Sequence, residues 1–413
     1  MISTSTIRRR LFLFICAIAV INYFFIRRHI KNEDLKRLPE QEELMKHRRS
    51  VHLEMLYLSL PDDQSNSYKI HQEFRIASEV VPGETTKDVT LVAHCTVNKL
   101  HLLLPLAERW NGPMSIVVFA PGNDARMTRF AIDGLRQCST YIRDYATFHL
   151  VYPTALLPPF DGGTGELFTE REMEYANFCP EVIPNRIKAL SSHSSYDDGY
   201  IPYPSNLLRN IGRDFAKSTY VFVIDIDMVP NKGLYHELIN FLEEKKLFDS
   251  IEKNAYVVPA FEINEKRDIP KNKAALREAA ARPFYHEVCE KCQRPLNYDR
   301  WWKANSNKGV LGPAYTLNWK DPWEPFYIID SKSPSFDERF KQYGFNRISQ
   351  ACELHLAGYN YVILNNAFVV HQGLKTPHSF HSNKDSQNAR NRDLFRKFKK
   401  ELKEKYPTTD RHC

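Results

Sequence analysis

Two carboxylates one residue apart follow an apolar run near the middle of the 413-residue chain. Asp225 comes directly after Thr219–Ile224, whose β-branched and aromatic residues are typical of a buried strand, and Asp227 follows two positions later. An unpaired carboxylate is costly inside a strand core, so the pair is expected at the carboxyl end of the strand. There, two carboxylates can hold a hard divalent cation, and that cation can neutralise a diphosphate. The spacing therefore predicts the Asp-x-Asp site of a nucleotide-sugar glycosyltransferase, although a lone Asp-x-Asp more often marks a solvated strand end.

A histidine at the end of a later strand is a candidate third ligand. Tyr361–Val370 is predicted to form a long strand, and His371 follows it immediately. Imidazole suits Mn²⁺ and is a poorer ligand for Ca²⁺. We therefore predict that Mn²⁺ is bound by Asp225, Asp227 and His371. The alternative is a histidine with a purely structural role.

The helix predicted before the Asp-x-Asp strand, over 204–217, carries polar residues along one side. They recur with helical spacing: Asn206, Arg209, Asn210 and Arg213. Asparagine and arginine on a helix that leads into a metal-binding strand could bind a nucleotide or a sugar carboxylate. The alternative is the solvated face of an amphipathic helix.

The chain from Asp88 onward alternates apolar strands with helical segments. Near-continuous apolar strands separated by helices are typical of a parallel sheet that helices cover on both faces. The predicted fold is therefore α/β, with a mostly parallel central sheet, in one composite domain over 86–413. Ligands of such sheets bind at the carboxyl ends of the strands, where Asp225 and Asp227 are expected.

An inverting glycosyl transfer needs a base within hydrogen-bond reach of the attacking hydroxyl group. Carboxylates in the second half of the chain are candidates for that base: Asp321, Glu324, Asp330, Asp337, Glu338 and Glu353. Asp337 and Glu338 lie in a loop after a predicted strand. We therefore predict that one of these two is the catalytic base.

The N-terminus has the pattern of a membrane anchor. Arg8–Arg10 precede an apolar run over 11–26, and no small-x-small cleavage site follows that run. The run is short, near the lower limit for a thin bilayer. We expect a cytoplasmic tail over 1–10, a signal anchor over 11–26 and a luminal stem over 27–85, as in a type II membrane protein of the secretory pathway. A cleaved signal peptide is the alternative.

The cysteines agree only partly with an oxidising lumen. Of the 8 cysteines, all but Cys16 lie beyond the apolar run, and an odd number leaves at least one thiol unpaired within the chain. Cys289 and Cys292 have a metal-like spacing, but an oxidising compartment favours a local disulfide over zinc.

Composition and charge exclude some classes of protein. A hydrophobic content of 43% is that of an ordinary globular protein. The net charge of +7 is modest, and Lys and Arg are interleaved with Asp and Glu along the chain. We therefore expect no nucleic-acid partner.

Several blocks resemble the signature sequences of glycosyltransferase family 49: Asp225–Pro230, Pro259–Glu262, Asp321–Tyr327, Phe336–Arg347 and Ile348–Ala357. The resemblance implies a GT-A-type nucleotide-sugar-binding fold, a Golgi type II topology, Mn²⁺ and a UDP-sugar donor. It also implies inverting transfer of glucuronic acid from UDP-glucuronic acid to a β-xylose acceptor on an O-mannosyl-type glycoprotein glycan.

The resemblance also implies roles for individual residues. Asp225 and Asp227 would contact the metal and the diphosphate, and His371 would contact the metal. The residues expected to bind the donor are Asn206, Arg209, Asp225 and His94. More distant GT-A enzymes often carry a Glu-Asp pair where this chain has Asn346 and Arg347. The resemblance therefore leaves the catalytic base unassigned.

Two other functions stay open. The same fold could use another UDP-sugar, such as UDP-N-acetylglucosamine or UDP-xylose. A donor carboxylate needs a cationic partner, and four are available: Arg209, Arg213, Arg347 and Lys375. The second alternative is a catalytically silent Golgi scaffold for other transferases, although a scaffold has no need of metal ligands. An active enzyme could also join a complex with other glycosyltransferases.

Overall fold

The computed structural model describes residues 59–79, 86–157, 179–189, 201–304, 309–379 and 383–413. The chain divides into two compact units, one made of residues 1–60 and 159–166 and the other of residues 61–158 and 167–413. Nearly all of the described residues belong to the second unit, which contains the sheets and helices below.

The predicted membrane anchor lies outside the described residues. The same holds for the cytoplasmic tail over 1–10 and for most of the stem over 27–85. Within the described ranges, no helix combines the length and the apolar character needed to cross a membrane.

The strands are rich in valine, isoleucine, phenylalanine and tyrosine, which fit a pleated, half-buried surface. In chain order the described strands are β1 (Tyr68–Arg75), β2 (Thr86–Thr96), β3 (Met114–Phe119), β4 (Ala146–Pro153), β5 (Ser218–Val223), β6 (Met228–Pro230), β7 (Asn254–Val258), β8 (Ala260–Ile263), β9 (Arg282–Pro283), β10 (Gly312–Leu317), β11 (Phe326–Asp330), β12 (Asn360–Asn365) and β13 (Val369–Gln372).

Nine of these strands form one large sheet in the order β1-β4-β3-β2-β5-β11-β7-β12-β10. Strands β4, β3, β2 and β5 run parallel to one another, whereas β11 lies antiparallel between β5 and β7. The edge strands β1 and β10 are also antiparallel to their neighbours. The predicted α/β architecture is confirmed. The sheet is mixed, however, because the second half of the chain adds strands in both directions.

The large sheet begins inside the segment that the sequence assigns to the stem. β1 pairs with β4, with Tyr68 opposite Pro153, and the buried Tyr68 ring packs edge-on against Phe119. The folded body therefore starts before the predicted boundary at residue 86. The strand is hard to recognise in the sequence because its remaining residues are mostly polar or charged, as expected for an edge strand.

A second sheet, in the order β6-β13-β8-β9, brings together distant parts of the predicted metal site. β6 directly follows Asp227 and pairs antiparallel with β13, so that His371 lies opposite Met228. β13 also runs parallel to β8, which places His371 opposite Glu262. This register carries His371 to Asp227, 144 positions away along the chain.

Amphipathic helices surround the sheets and bury their apolar stripes. In chain order the described helices are α1 (Leu103–Trp110), α2 (Asp124–Cys138), α3 (Thr140–Tyr145), α4 (Cys179–Ala189), α5 (Ser205–Asp214), α6 (Leu234–Glu244), α7 (Lys273–Glu278), α8 (Glu290–Gln293), α9 (Tyr298–Lys303), α10 (Asn346–Leu356) and α11 (Lys384–Lys405). The helix predicted before the Asp-x-Asp strand is confirmed as α5.

Helix α5 packs very close to the large sheet. Leu207, Leu208 and Ile211 are buried in its apolar face. A Cβ atom at Gly212 would overlap the side chain of Val92 on β2, so glycine allows the helix to lie at this distance. The close approach holds the polar side of α5 beside the end of β5.

Two disulfides join described cysteines in the C-terminal half of the chain. Cys289 and Cys292 form the local disulfide that the sequence predicts. Cys352 on α10 is bonded to Cys413, which ties the last residue to the core across 61 positions. Cys95 is buried with a free thiol.

Candidate active site

Asp225 lies in the turn between β5 and β6 and is paired with two arginines. Arg347 Nη1 donates to Asp225 Oδ2 at 2.8 Å, and Arg209 Nη2 donates to Oδ1 at 3.4 Å. Burial raises the pKa of Asp225, but the charges of Arg347 and Arg209 outweigh burial and hold that pKa well below its ordinary value. Asp225 is therefore an anion at neutral pH. The Arg347 guanidinium also stacks on the Phe326 ring, 4.1 Å from the ring centroid.

Asp227 has a different set of cationic neighbours. Its Oδ2 lies 3.1 Å from Nε2 of His371 and 3.5 Å from Nζ of Lys375. Burial raises the pKa of Asp227, whereas its hydrogen bond to His371, the charge that this ring carries when protonated and the charge of Lys375 lower the pKa by more. The two carboxylates of the motif thus face different partners.

The loop that carries Lys375 is anchored by a buried carboxylate. The Lys375 backbone N–H donates to Glu262 Oε2 at 3.0 Å. Glu262 is fully buried on β8 and forms an ion pair with Arg282 Nε at 2.8 Å. Glu262 therefore acts through Lys375 and holds that loop beside Asp227.

The tautomer of His371 follows from its neighbours. Its Nδ1 lies 2.6 Å from the Gly373 carbonyl oxygen, which can only accept, so Nδ1 carries a proton. A neutral ring then points the lone pair of Nε2 at Asp227. Two electron-pair donors at 3.1 Å repel each other unless a proton or a cation lies between them. A carbonyl bonded to Nδ1–H is a common outer partner of a metal-binding histidine, so Asp227 and His371 fit a divalent cation.

The role of Asp225 as a third metal ligand stays a prediction. Across the described ranges, no group of three or more His, Cys, Asp or Glu side chains is close enough to hold a metal ion. Both carboxylate oxygens of Asp225 are turned to arginines. Cations that act on phosphates often use one or two carboxylates, water and the substrate phosphates, so Asp227 and His371 are a sufficient protein contribution.

The polar side of α5 is buried, and its first two members act together. Asn206 Oδ1 accepts a hydrogen bond from Arg209 Nη1 at 2.8 Å, and Asn206 Nδ2 donates to the Asp337 carbonyl oxygen at 2.8 Å. Both side chains are almost fully buried. Asn206 therefore positions Arg209, and Arg209 is the one of the two that lines the cavity described below.

The other two polar residues of α5 hold a loop. Asn210 Nδ2 donates to the Phe336 carbonyl oxygen at 2.8 Å. Arg213 donates to the carbonyl oxygens of Pro334 and Ser333 at 3.1 and 2.8 Å. The guanidinium of Arg213 is thus occupied by backbone carbonyl groups. Of the four cations predicted as partners of a donor carboxylate, Arg213 is therefore the one whose contacts are structural.

His94, near the end of β2, is buried close to the same charges. Its Nδ1 lies 2.6 Å from Tyr203 Oη, and no hydrogen-bond partner of Nε2 occurs in the described part of the chain. Burial, reinforced by Arg209, lowers the pKa of His94 to about 3, so the ring is neutral at neutral pH. Donor binding by His94 stays a prediction, and the unpaired Nε2 is the atom that could serve it.

A cavity of about 970 Å³ opens beside Asp225, a volume at the upper end of the range for small-molecule sites. Its wall includes Arg209, Asp225, Glu324 and Arg347. The rest of the wall comes from residues within 285–292, from 321–322, from the segment over 342–348 and from α11 between Lys384 and Lys399. Size and charge therefore suit a polar, anionic ligand such as a nucleotide sugar.

The structure places Asp337 and Glu338 outside this wall. Asp337 Oδ2 forms an ion pair with Arg339 Nη2 at 2.6 Å, and Arg339 also pairs with Glu401. Glu338 Oε1 accepts a hydrogen bond from Asn210 Nδ2 at 2.8 Å. Neither residue lines the cavity. These contacts fix the loop to α5 and α11, and nothing in them supports the predicted role as catalytic base.

Asp321 lies on the cavity wall but is paired with Lys399 at 3.7 Å. The other candidate carboxylate on the wall is Glu324. Its side chain is half-buried, and burial raises the pKa of its carboxyl group, with Arg347 opposing that shift. The sequence includes Glu324 among the candidate bases but gives no reason to prefer it. What distinguishes it from Asp321 is a place in the cavity of Asp225 without an ion-pair partner among the described residues, which only the folded chain reveals.

Comparison with known proteins identifies the family. A family model described as "Glycosyl-transferase for dystroglycan" matches residues 88–407. Beta-1,4-glucuronyltransferase 1 of Danio rerio is 39% identical over 363 residues, which cover 85% of this chain and 83% of that protein. The Homo sapiens protein of the same name is 39% identical over 357 residues, covering 85% and 82%. Xylosyl- and glucuronyltransferase LARGE1 of Homo sapiens is 26% identical over 348 residues, covering 83% of this chain and 37% of that protein.

The region matched by the family model contains the Asp225–Asp227 turn, Glu324, Arg347 and His371. The site described above therefore lies wholly within that region. The chain belongs to glycosyltransferase family 49, the glycosyl-transferases for dystroglycan.

Proposed function

We propose that the chain transfers glucuronic acid from UDP-glucuronic acid to a xylose-terminated, O-mannosyl-type glycan on a glycoprotein, with inversion at the anomeric carbon and Mn²⁺ as cofactor. The relatives named as glucuronyltransferases support the reaction class. One observation carries the proposal: Asp225 lies on the wall of a large cavity, and the same turn presents Asp227 to His371.

The donor's diphosphate is assigned to the Asp227 side of the turn. Asp227 and His371 would hold the cation, whose chemistry is to neutralise the diphosphate and the departing UDP. Lys375, with Nζ 3.5 Å from Asp227 Oδ2, adds a positive charge at the same place. Glu262 keeps Lys375 there through its backbone N–H.

The donor's carboxylate is assigned to the arginine pair. Arg209 and Arg347 both line the cavity, and Asp225 is the carboxylate bonded to the two of them. Asp225 compensates one positive charge of the pair, which leaves the other to attract an anionic group. A planar guanidinium binds a carboxylate through two parallel hydrogen bonds.

The proposal includes a Golgi membrane location with a luminal catalytic body of GT-A type. The apolar run over 11–26 is the proposed type II anchor. Disulfides persist in oxidising compartments, and the Cys289–Cys292 and Cys352–Cys413 bonds are consistent with such a compartment. Association with other glycosyltransferases would take place there.

The arginine pair also helps to distinguish the proposed function from its two alternatives, another UDP-sugar donor and a silent scaffold. A donor without a carboxylate, such as UDP-N-acetylglucosamine or UDP-xylose, gives Arg209 and Arg347 no extra partner. A silent scaffold gains little from burying Arg209 and Arg347 beside the half-buried Asp225, because buried ion pairs add little net stability. An acidic donor accounts for the charges better than either alternative.

A donor screen tests the proposal. The purified protein is incubated with Mn²⁺, a β-xyloside and one of three donors: UDP-glucuronic acid, UDP-N-acetylglucosamine or UDP-xylose. We expect a β-glucuronide from the first donor alone, with the linkage read by NMR. Preferred transfer from another donor would contradict the donor assignment. Absence of transfer from all three, together with no calorimetric binding of UDP and Mn²⁺, would favour the scaffold.

A further inference from the structure

The cavity wall carries four acidic side chains among its described lining residues, and only one of them is suited to accept a proton. Asp225 is bonded to two arginines. Asp321 is paired with Lys399 at 3.7 Å, and Asp385 is exposed in the first turn of α11. A base must have a carboxylate that can reach the attacking hydroxyl group. Glu324 remains.

The carboxylate of Glu324 has no fixed partner. Neither a hydrogen bond nor an ion pair reaches it from the residues that the structure describes, although the charges of Arg347, Asp225 and Arg209 act on it across the cavity. Burial, the largest influence, raises the pKa of this carboxyl group. A carboxylate with a raised pKa accepts a proton more readily than an ordinary one.

We propose that Glu324 is the catalytic base of the glycosyl transfer, an assignment that rests on the function proposed above. As the acceptor oxygen forms its bond to the anomeric carbon, its proton passes to an Oε atom of Glu324. The bond between the anomeric carbon and the β-phosphate oxygen breaks, and its electron pair leaves with UDP. The products are the glycoside, UDP and protonated Glu324, which returns its proton to solvent.

The backbone of Glu324 is held on both sides by the segment that carries the Cys289–Cys292 disulfide. Glu324 N–H donates to the Cys292 carbonyl oxygen at 3.0 Å. The buried Gln293 Nε2 donates to the Glu324 carbonyl oxygen at 3.0 Å. Helix α8 and its disulfide are therefore positioning elements for the base.

The first experiment compares Glu324→Gln with the wild-type protein in transfer from UDP-glucuronic acid to a β-xyloside. Loss of a general base is expected to lower kcat by roughly 10²–10⁴-fold. The affinity for UDP with Mn²⁺, measured by calorimetry, should stay within about threefold because the base acts only in the transition state. Asp330→Asn is the matched control, since Asp330 ends β11 outside the cavity. Its kcat is expected within about twofold of wild type.

A second acceptor separates proton transfer from a structural role. In this xyloside a thiol replaces the attacking hydroxyl group. A thiol forms its anion near neutral pH far more readily than a hydroxyl group, so its attack depends little on a base. We expect Glu324→Gln to lose at most about tenfold in kcat with the thiol acceptor, against the much larger loss with the hydroxyl acceptor.

The outcomes distinguish the base from the function on which it rests. If wild type transfers glucuronic acid and the kcat of Glu324→Gln lies within about threefold of wild type, the base assignment is overturned and the proposed function stands. Equal losses with the two acceptors also overturn it, because such a loss reflects structure. A wild-type protein that transfers no glucuronic acid overturns the proposed function and the base assignment with it.

Discussion

His371 Nε2 lies 3.1 Å from Asp227 Oδ2, although the two residues are 144 positions apart in the chain. The pairing of β6 with β13 creates this contact by setting Met228 opposite His371. His371 Nδ1–H donates a hydrogen bond to the Gly373 carbonyl oxygen, so the ring presents to Asp227 the nitrogen that is free to bind a metal. Asp227 and His371 therefore have the chemistry of two ligands of one divalent cation.

Replacing His371 with alanine is expected to weaken Mn²⁺ binding in the presence of UDP by roughly 10–100-fold or more, because one of two protein ligands is lost. Transfer activity should fall with it at low Mn²⁺ and recover in part at high Mn²⁺. Calorimetric titration measures the affinity. His236→Ala is the control, since His236 lies exposed on α6. An unchanged Mn²⁺ affinity in His371→Ala would contradict the metal assignment.

Replacing Arg347 with lysine is expected to reduce discrimination for an acidic donor. Hydrogen bonds to charged groups contribute about 1.5–3 kcal/mol, so kcat/KM for UDP-glucuronic acid should fall roughly 10–100-fold. The value for UDP-glucose, which lacks the carboxylate, should change less. Arg213→Lys is the matched control, because Arg213 bonds to the backbone of the 333–334 loop and lies outside the cavity. A donor preference that survives in Arg347→Lys argues for another carboxylate partner.

Transfer activity is expected to fall as pH is lowered through the raised pKa of Glu324. A base works only when ionised, so kcat/KM should drop about tenfold per pH unit below that pKa. Burial raises this pKa, and the charge of Arg347 opposes the shift. Arg347→Gln should therefore move the acid limb of the pH–rate profile to higher pH. If the acid limb persists unchanged in Glu324→Gln, that limb reports the titration of another group.

Replacing Gly212 with alanine is expected to lower the free energy of unfolding by about 1–3 kcal/mol, because the new Cβ would overlap Val92 on β2. Gly134→Ala on α2 is the matched control. Its Cβ would meet Ile183 at 3.4 Å, an ordinary contact, and alanine gains roughly 1 kcal/mol of helix propensity over glycine. Denaturant unfolding measures both changes. Equal stabilities for the two variants would show that α5 can move away from the sheet.

Local patterns in the sequence are sufficient to predict β5 with its Asp-x-Asp turn, helix α5 and the Cys289–Cys292 disulfide. In each case the signal lies within a few neighbouring residues. The edge strand β1 is missed because its side chains are largely polar, which is how an edge strand avoids unwanted pairing. The mixed direction of the sheet is missed because strand order depends on contacts between distant segments.

The roles of single residues depend on the same distant contacts. Asn206 is predicted to face a donor, but its amide binds Arg209 and the Asp337 carbonyl oxygen, 131 positions away. Glu324 is one of six candidate bases in the sequence, which favours Asp337 and Glu338. It stands out only when the fold brings its carboxylate into the cavity of Asp225. Spacing along the chain reveals the Asp-x-Asp turn, whereas the choice of a candidate base depends on tertiary structure.

The central claim is glucuronyl transfer that depends on Asp227. Its most direct test is transfer from UDP-glucuronic acid to a β-xyloside by wild type and by Asp227→Asn, with matched circular dichroism spectra and the product identified by NMR. The account predicts a β-glucuronide from wild type and a rate at least about 100-fold lower from Asp227→Asn. Full activity of Asp227→Asn, or of wild type in excess chelator, would contradict it.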